Sequence, residues 1–133
     1  MNKWGKRSLQ VRSTLHPHLR LLCDLTLRKH DISLVSGLRG KKEQDSYFEA
    51  GTSQVKFPES YHNRTKDASL VEIQYNISDA VDLIPVDTGY ESKKRFNEIA
   101  EEMKAWANIL DINLEWGGDF KNFFDGAHFQ IKH

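Results

Sequence analysis

Trp116-Gly117-Gly118-Asp119-Phe120, followed by Asp125-Gly126-Ala127-His128-Phe129-Gln130-Ile131, is the stretch on which the reading of this chain turns. A turn rich in Gly and Asp leads into a short segment where His128 and Gln130 alternate with Phe129 and Ile131. Side chains of a strand alternate between faces, so Phe129 and Ile131 enter a core while His128 and Gln130 face a cleft. Asp125 precedes His128 by three residues across a Gly-Ala turn. A carboxylate held there can approach water at a site to which His128 belongs without being a ligand itself. Alone, His128 could equally be a hydrogen-bonded histidine.

Asp82 is the next residue outward. It lies in Ala80-Val81-Asp82-Leu83-Ile84, which reads as a buried strand stopped by Pro85. An unpartnered carboxylate there costs several kcal/mol or takes up a proton, so it calls for a salt bridge or a cation. His62 follows Ser60-Tyr61 in a polar loop, and periodicity does not single it out. His16 and His18 flank Pro17 at a helix start and His30 closes a helix, which are ordinary surface or capping places, and the terminal His133 reads as frayed. Two His nitrogens and one carboxylate form a familiar zinc set with a fourth position left to water. Those residue types suit amide hydrolysis and also allow ester or other hydrolytic chemistry.

The remaining pattern is α+β. Pro17 suits the first turn of a helix whose apolar face runs through Leu19, Leu22 and Cys23 to about Lys29. Ile32 to Gly37 suggests a short strand and turn, and Lys42 to Ala50 a second helix with Tyr47 and Phe48 inward and Gly51 as its stop. Residues 1–13 read as a packed arm or an irregular lead-in. Val71, Ile73, Tyr75 and Ile77 alternate with polar residues and suggest a half-buried strand. From Ser92 to Leu110, Phe96, Ile99, Met103, Trp106 and Leu110 recur at three or four and form one helical stripe. Ile112 to Trp116 and Ala127 to Ile131 are short strands. Without a repeated strand–helix rhythm, the sheet is expected to be small and mainly antiparallel.

At 133 residues the chain has the size of one domain, 1–133. Basic and acidic residues balance at 19 each, and the excess of ten basic over four acidic in residues 1–45 is too diffuse for a nucleic-acid stripe. Cys23 is the single cysteine, so no intrachain disulfide forms, and its place between leucines suits a core. Neither a secretory leader nor a membrane span is legible.

Taken in order, Arg7-Ser8-Leu9, Leu15-His16-Pro17-His18-Leu19, Ile32-Ser33-Leu34-Val35-Ser36-Gly37-Leu38-Arg39, Glu43-Gln44, Ser60-Tyr61-His62, Ala80 to Pro85, Trp116 to Phe120 and Asp125 to Phe129 make the chain resemble the M15 (LAS) peptidoglycan peptidases, and within them phage L-alanyl-D-glutamate endopeptidases used as endolysins. The resemblance implies a hedgehog-like metallopeptidase domain. It implies that His62, Asp82 and His128 bind Zn²⁺ and that Asp125 is general base and then general acid. Arg39 would steady the substrate and developing negative charge, as its planar fork suits paired oxygens. Gln44 would orient Arg39 or bind the substrate backbone. The substrate is the stem peptide of bacterial peptidoglycan, with L-Ala–D-Glu cleavage the first choice and D-Ala–D-Ala carboxypeptidase action the nearest alternative. A monomer accumulating in the host cytoplasm, released by a separate holin-type protein to act on the wall in the periplasm, fits the same analogy.

The chain departs from the family pattern in one place. Asn63 to Ile77 looks like an insertion between His62 and Asp82, and Ser78 stands where a Gly is expected. The extra segment either reaches over the cleft and alters specificity or splays outward and leaves the site intact. A non-catalytic wall-binding domain that keeps the fold is the rival reading it supports.

Overall fold

The computed structural model describes residues 1–133. Helices α1 (Lys6–Arg12), α2 (Pro17–Leu27), α3 (Lys41–Glu49) and α4 (Lys93–Ile109) combine with strands β1 (Ile32–Ser36), β2 (Ala80–Pro85), β3 (Leu114–Trp116) and β4 (His128–Ile131). The strands form one sheet in the order β1-β2-β4-β3, antiparallel throughout. The architecture is thus a small α+β domain, as the sequence led one to expect.

The two faces of the sheet divide by chemistry. Leu34, Val81, Leu83, Phe129 and Ile131 are buried in one cluster with Leu19, Leu22, Cys23, Phe96, Ile99 and Met103 from α2 and α4. Burying such side chains is worth ~1.5–3 kcal/mol each. The opposite face carries the polar alternates Ser36, Asp82, His128, Gln130 and Glu115. Register places Asp82 opposite His128 and Gln130 opposite Glu115. A register shift between Leu34 and Ser36 brings Ser36 opposite Asp82. Cross-strand partners lie ~4.5–5.5 Å apart, so the pairing itself gathers a polar row.

Four local expectations are corrected. Residues 1–13 are not an irregular lead-in: α1 buries Val11, and the Ser8 hydroxyl accepts from the Leu34 amide at 2.9 Å, tying α1 to β1. Seven residues were too few for a helical period to show. α3 does not turn Tyr47 and Phe48 inward; they are 36% and 37% exposed, and its one buried residue is Gln44. Gln44 can be buried because its amide is fully hydrogen-bonded, whereas both rings find cationic cover, Tyr47 under Arg39 and Phe48 under Lys56. Residues 68–76 form 3₁₀ turns rather than a strand, begun by the Asp67 carboxylate accepting from the Ser69 amide. No strand pairs with them, and Val71 is left 61% exposed.

The histidines set aside as surface positions provide the fourth correction. His16 does cap α2, its Nδ1 accepting from the His18 amide at 3.1 Å, but it is only 3% exposed. His133 is not frayed; its ring packs 5.1 Å from that of His16. Among the expectations met, Ser92 caps α4, Gly51 ends α3 at φ 77°, and Cys23 is fully buried, its thiol pushed well above its ordinary value by burial and by neighbouring Asp24.

Candidate metal centre and cleft

His62, Asp82 and His128 come together although 66 residues separate the two histidines. β2 and β4 deliver Asp82 and His128 as cross-strand neighbours. His62 arrives on a loop pinned by reciprocal bonds. The Ser60 amide donates to Asn63 Oδ1 and the His62 amide to Ser60 Oγ, both at 3.1 Å, while the Arg39 amide donates to the His62 carbonyl at 2.7 Å. The three ligand atoms lie within 4.8 Å of one another.

Hydrogen bonds on the far side of each ring fix what it presents to the others. His62 Nδ1 meets the Gly37 carbonyl at 2.8 Å, which can only accept, so Nδ1 carries the proton and Nε2 is bare. Gln130 Nε2 donates to Glu115 at 2.5 Å, which turns Gln130 Oε1 toward His128 Nε2 at 2.7 Å. His128 Nε2 therefore donates, and its Nδ1 is bare. The two bare nitrogens face each other at 3.3 Å, with Asp82 Oδ1 3.4 Å from His62 and 3.2 Å from His128. Two lone pairs and a carboxylate oxygen converging in a buried place form a set that a cation would satisfy. Neutral imidazoles oriented from behind by a carbonyl and a Gln–Glu relay are the preparation metal sites use. The donor set fits zinc.

Asp82 divides its oxygens between two partners. Oδ1 faces the histidines, while Oδ2 accepts from Arg39 at 2.7 Å. Burial pushes this carboxyl up, but its interactions with His62 and His128 outweigh burial and hold the group well below the usual carboxylate range. His62 is shifted down, mainly by burial, and His128 up, because Asp82 more than offsets burial.

All three residues line a cavity of about 570 Å³ together with Arg39, Asp125 and Tyr47. Burial, then repulsion from Asp82, raises the Asp125 carboxyl above its ordinary value. Its turn is held against Trp116-Gly117: the Asp125 amide donates to the Gly117 carbonyl at 3.0 Å and Trp116 Nε1 to the Gly126 carbonyl at 2.8 Å. A Cβ on Gly117 would run into the Asp125 carbonyl, so this turn needs glycine opposite it.

Arg39 lines the cavity with its guanidinium 4.5 Å from the Tyr47 ring centre. Its Nε donates to Ser36 Oγ at 3.1 Å and its Nη1 to Gln44 Oε1 at 3.5 Å. Gln44, expected to touch substrate or to orient Arg39, is fully buried and lines no part of the cavity, so only the orienting geometry is available to it. Its amide donates to Ser53 Oγ at 2.6 Å and the Val55 carbonyl at 2.7 Å, holding one cavity wall.

Residues 63–77 contribute nothing to the cavity lining, which fits the outward of the two arrangements; the wall is made by 52–55 and 59–62. Ser78 makes a virtue of its hydroxyl, donating to the Ala80 carbonyl at 2.6 Å, and its φ is not positive, so no glycine is needed there. Sequence reasoning passed over the Gln130–Glu115 relay, Tyr47 under Arg39, and Tyr90, Phe120 and Phe123 on the cavity rim. Gln130 alone left a signal, sharing a strand face with His128.

Comparison with known proteins agrees with the geometry. A family model described as phage L-alanyl-D-glutamate peptidase matches residues 1–131. The peptidoglycan L-alanyl-D-glutamate endopeptidase CwlK of Bacillus subtilis (strain 168) is 25% identical over 147 residues, spanning 94% of this chain and 78% of that protein. The crystal structure of the L-Ala D-Glu endopeptidase ChiX of Serratia marcescens superposes with a TM-score of 0.76 at 28% identity, over 96% of this chain and 87% of that one. With a match across nearly its whole length, this chain belongs to the phage L-alanyl-D-glutamate peptidase family.

Proposed function

We propose that the protein is a zinc peptidase that hydrolyses the L-Ala–D-Glu amide of peptidoglycan stem peptides in the manner of a phage endolysin. Support for the reaction comes from family membership, and support for the metal from the bare nitrogens of His62 and His128 converging on Asp82. That convergence is the observation that carries the reading. His62, Asp82 and His128 would hold the zinc, with the second Asp82 oxygen held by Arg39. Zinc bound there supplies a Lewis acid that polarises water and the scissile carbonyl.

The remaining work falls to the chain's own side chains. Asp125, its basicity raised by its surroundings, takes the proton of the attacking water and returns one to the departing nitrogen. Arg39 spends three of its five N–H groups on Ser36, Gln44 and Asp82, leaving two for a substrate carboxylate or the developing oxyanion. Gln44 acts as a positioning residue through Arg39. One chain supplies every group named, which supports a monomer. The 63–77 segment is read as an insertion within a single peptidase domain, placed off the cleft walls. No helix is long and apolar enough to cross a membrane, and access to the wall from the host cytoplasm through a separate holin-type lesion is part of the same proposal.

Digestion of purified peptidoglycan followed by mass analysis of the fragments tests the reading. New N-terminal D-Glu and C-terminal L-Ala ends are expected. Release of free D-Ala alone would replace it with carboxypeptidase action, and intact glycopeptides from zinc-loaded protein would overturn catalysis altogether.

A further inference from the structure

His16, Asp67 and His133 bring three ligand atoms within 4.8 Å of one another, and none of them lines the catalytic cavity. We propose that they form a second divalent-cation site, of the imidazole-preferring zinc class, which clamps the start of α2, the 63–77 segment and the end of β4 together.

Charge carries the first part of the argument. Asp67 and the fully buried Asp79 sit side by side through His133, and their only ion-pair partners are His16 and His133; no Lys or Arg neutralises either carboxylate. Thr65 Oγ1 and the Lys66 amide donate to Asp79, both at 2.6 Å, and Ser69 to Asp67, but these donors bring no formal charge. Protonation bookkeeping carries the second part. His133 Nε2 faces Asp79 Oδ1 at 3.3 Å and donates to it. In the neutral ring this leaves Nδ1 bare, with no hydrogen-bond partner, 3.9 Å from Asp67 Oδ2. A histidine oriented by a buried carboxylate with its other nitrogen free is a prepared ligand. Imidazole donors select zinc-like ions over calcium or magnesium.

His16 sets the strength of the site. Its Nε2 donates to Asp67 at 2.9 Å while Nδ1 accepts from the His18 amide. On metal binding the Nε2 proton moves to Nδ1, and the cap from His18 is given up. The positive end of α2 also points here. Both effects make this the weaker of two sites, filled after His62–Asp82–His128.

Native mass spectrometry during zinc titration, paired with melting curves, provides the test. The unaltered chain should take two zinc ions, His133→Gln one, Asp82→Asn one, and His18→Gln two. The second equivalent should raise the melting temperature by ~5 °C or more at 100-fold over its Kd, and this rise should vanish in His133→Gln. A single equivalent in the unaltered chain, two in His133→Gln, or loss of the second ion in His18→Gln would each overturn the site. Two ions in Asp82→Asn with one in His133→Gln would instead count against the catalytic ligand set and leave this one standing.

Discussion

His62, Asp82 and His128 lie on the polar face of the sheet; His16, Asp67 and His133 lie where the ends of three distant segments meet. The two groups contain the same residue types at similar spacing, yet they differ in where their protons are. In the first, Gly37 and Gln130 draw the ring protons outward, and the bare nitrogens are left to face each other. In the second, His16 turns its proton inward to Asp67 and uses its other nitrogen as a helix cap. Residue identity and proximity therefore do not define a metal centre; the hydrogen bonds behind the ligands do. The first group is arranged to receive a cation. The second is a closed clasp that a cation would have to reopen.

Five substitutions probe this contrast, taken from the largest expected effect to the smallest. His128→Ala should remove both zinc retention and hydrolysis, whereas His133→Ala should leave hydrolysis within about twofold; equal losses in peptidoglycan digestion would erase the distinction. Asp125→Ala should keep the fold and the zinc but slow hydrolysis by ~10²–10⁴-fold, the usual worth of a positioned acid–base group. Undiminished turnover in that variant would remove Asp125 from the mechanism. Gln130→Leu keeps the ligands but frees the His128 tautomer. A competition assay with a chromophoric chelator should show zinc affinity down ~10–100-fold, the typical cost of losing such a partner.

The smallest effect is expected at the clasp. With chelator present, Asp67→Asn should cost about 1 kcal/mol at neutral pH, as a charged hydrogen bond partly open to solvent is worth. The Asp67 carboxyl is held below its ordinary value by the hydrogen bond from His16 and then by Ser69. A depressed folded value means the contribution is whole above the ordinary carboxylate range and is lost as pH falls through that range toward the folded value. Urea melts at pH 7 and pH 3 should therefore show the gap between wild type and variant closing with acid. A gap that widens with acid would show that the bond does not favour the ionised carboxylate.

The same contrast marks how far the sequence could be read. α4, β2 and β4 were legible because a packed stripe or a strand alternation repeats several times within a single element. Asp82 and His128 were legible for the same reason, being polar residues inside such patterns. α3 misled because burial there follows hydrogen-bond satisfaction at Gln44 rather than apolarity. Residues 68–76 misled because alternation predicts a strand only where a partner edge exists. The clasp left no trace: His16 and Asp67 lie 51 positions apart in segments without a shared period, and only the folded chain makes them neighbours.

Because Asp82 and His128 are strand partners, sheet pairing spaces two of the three proposed ligands, and the intervening 45 residues have no part in measuring it. The turn at Asp87–Gly89, just beyond β2, can accordingly vary in length over evolution, or accept an inserted tag, without detuning the ion. A single-residue slip between β2 and β4 would be far more damaging than any such insertion, since it would turn one ligand into the oily interior.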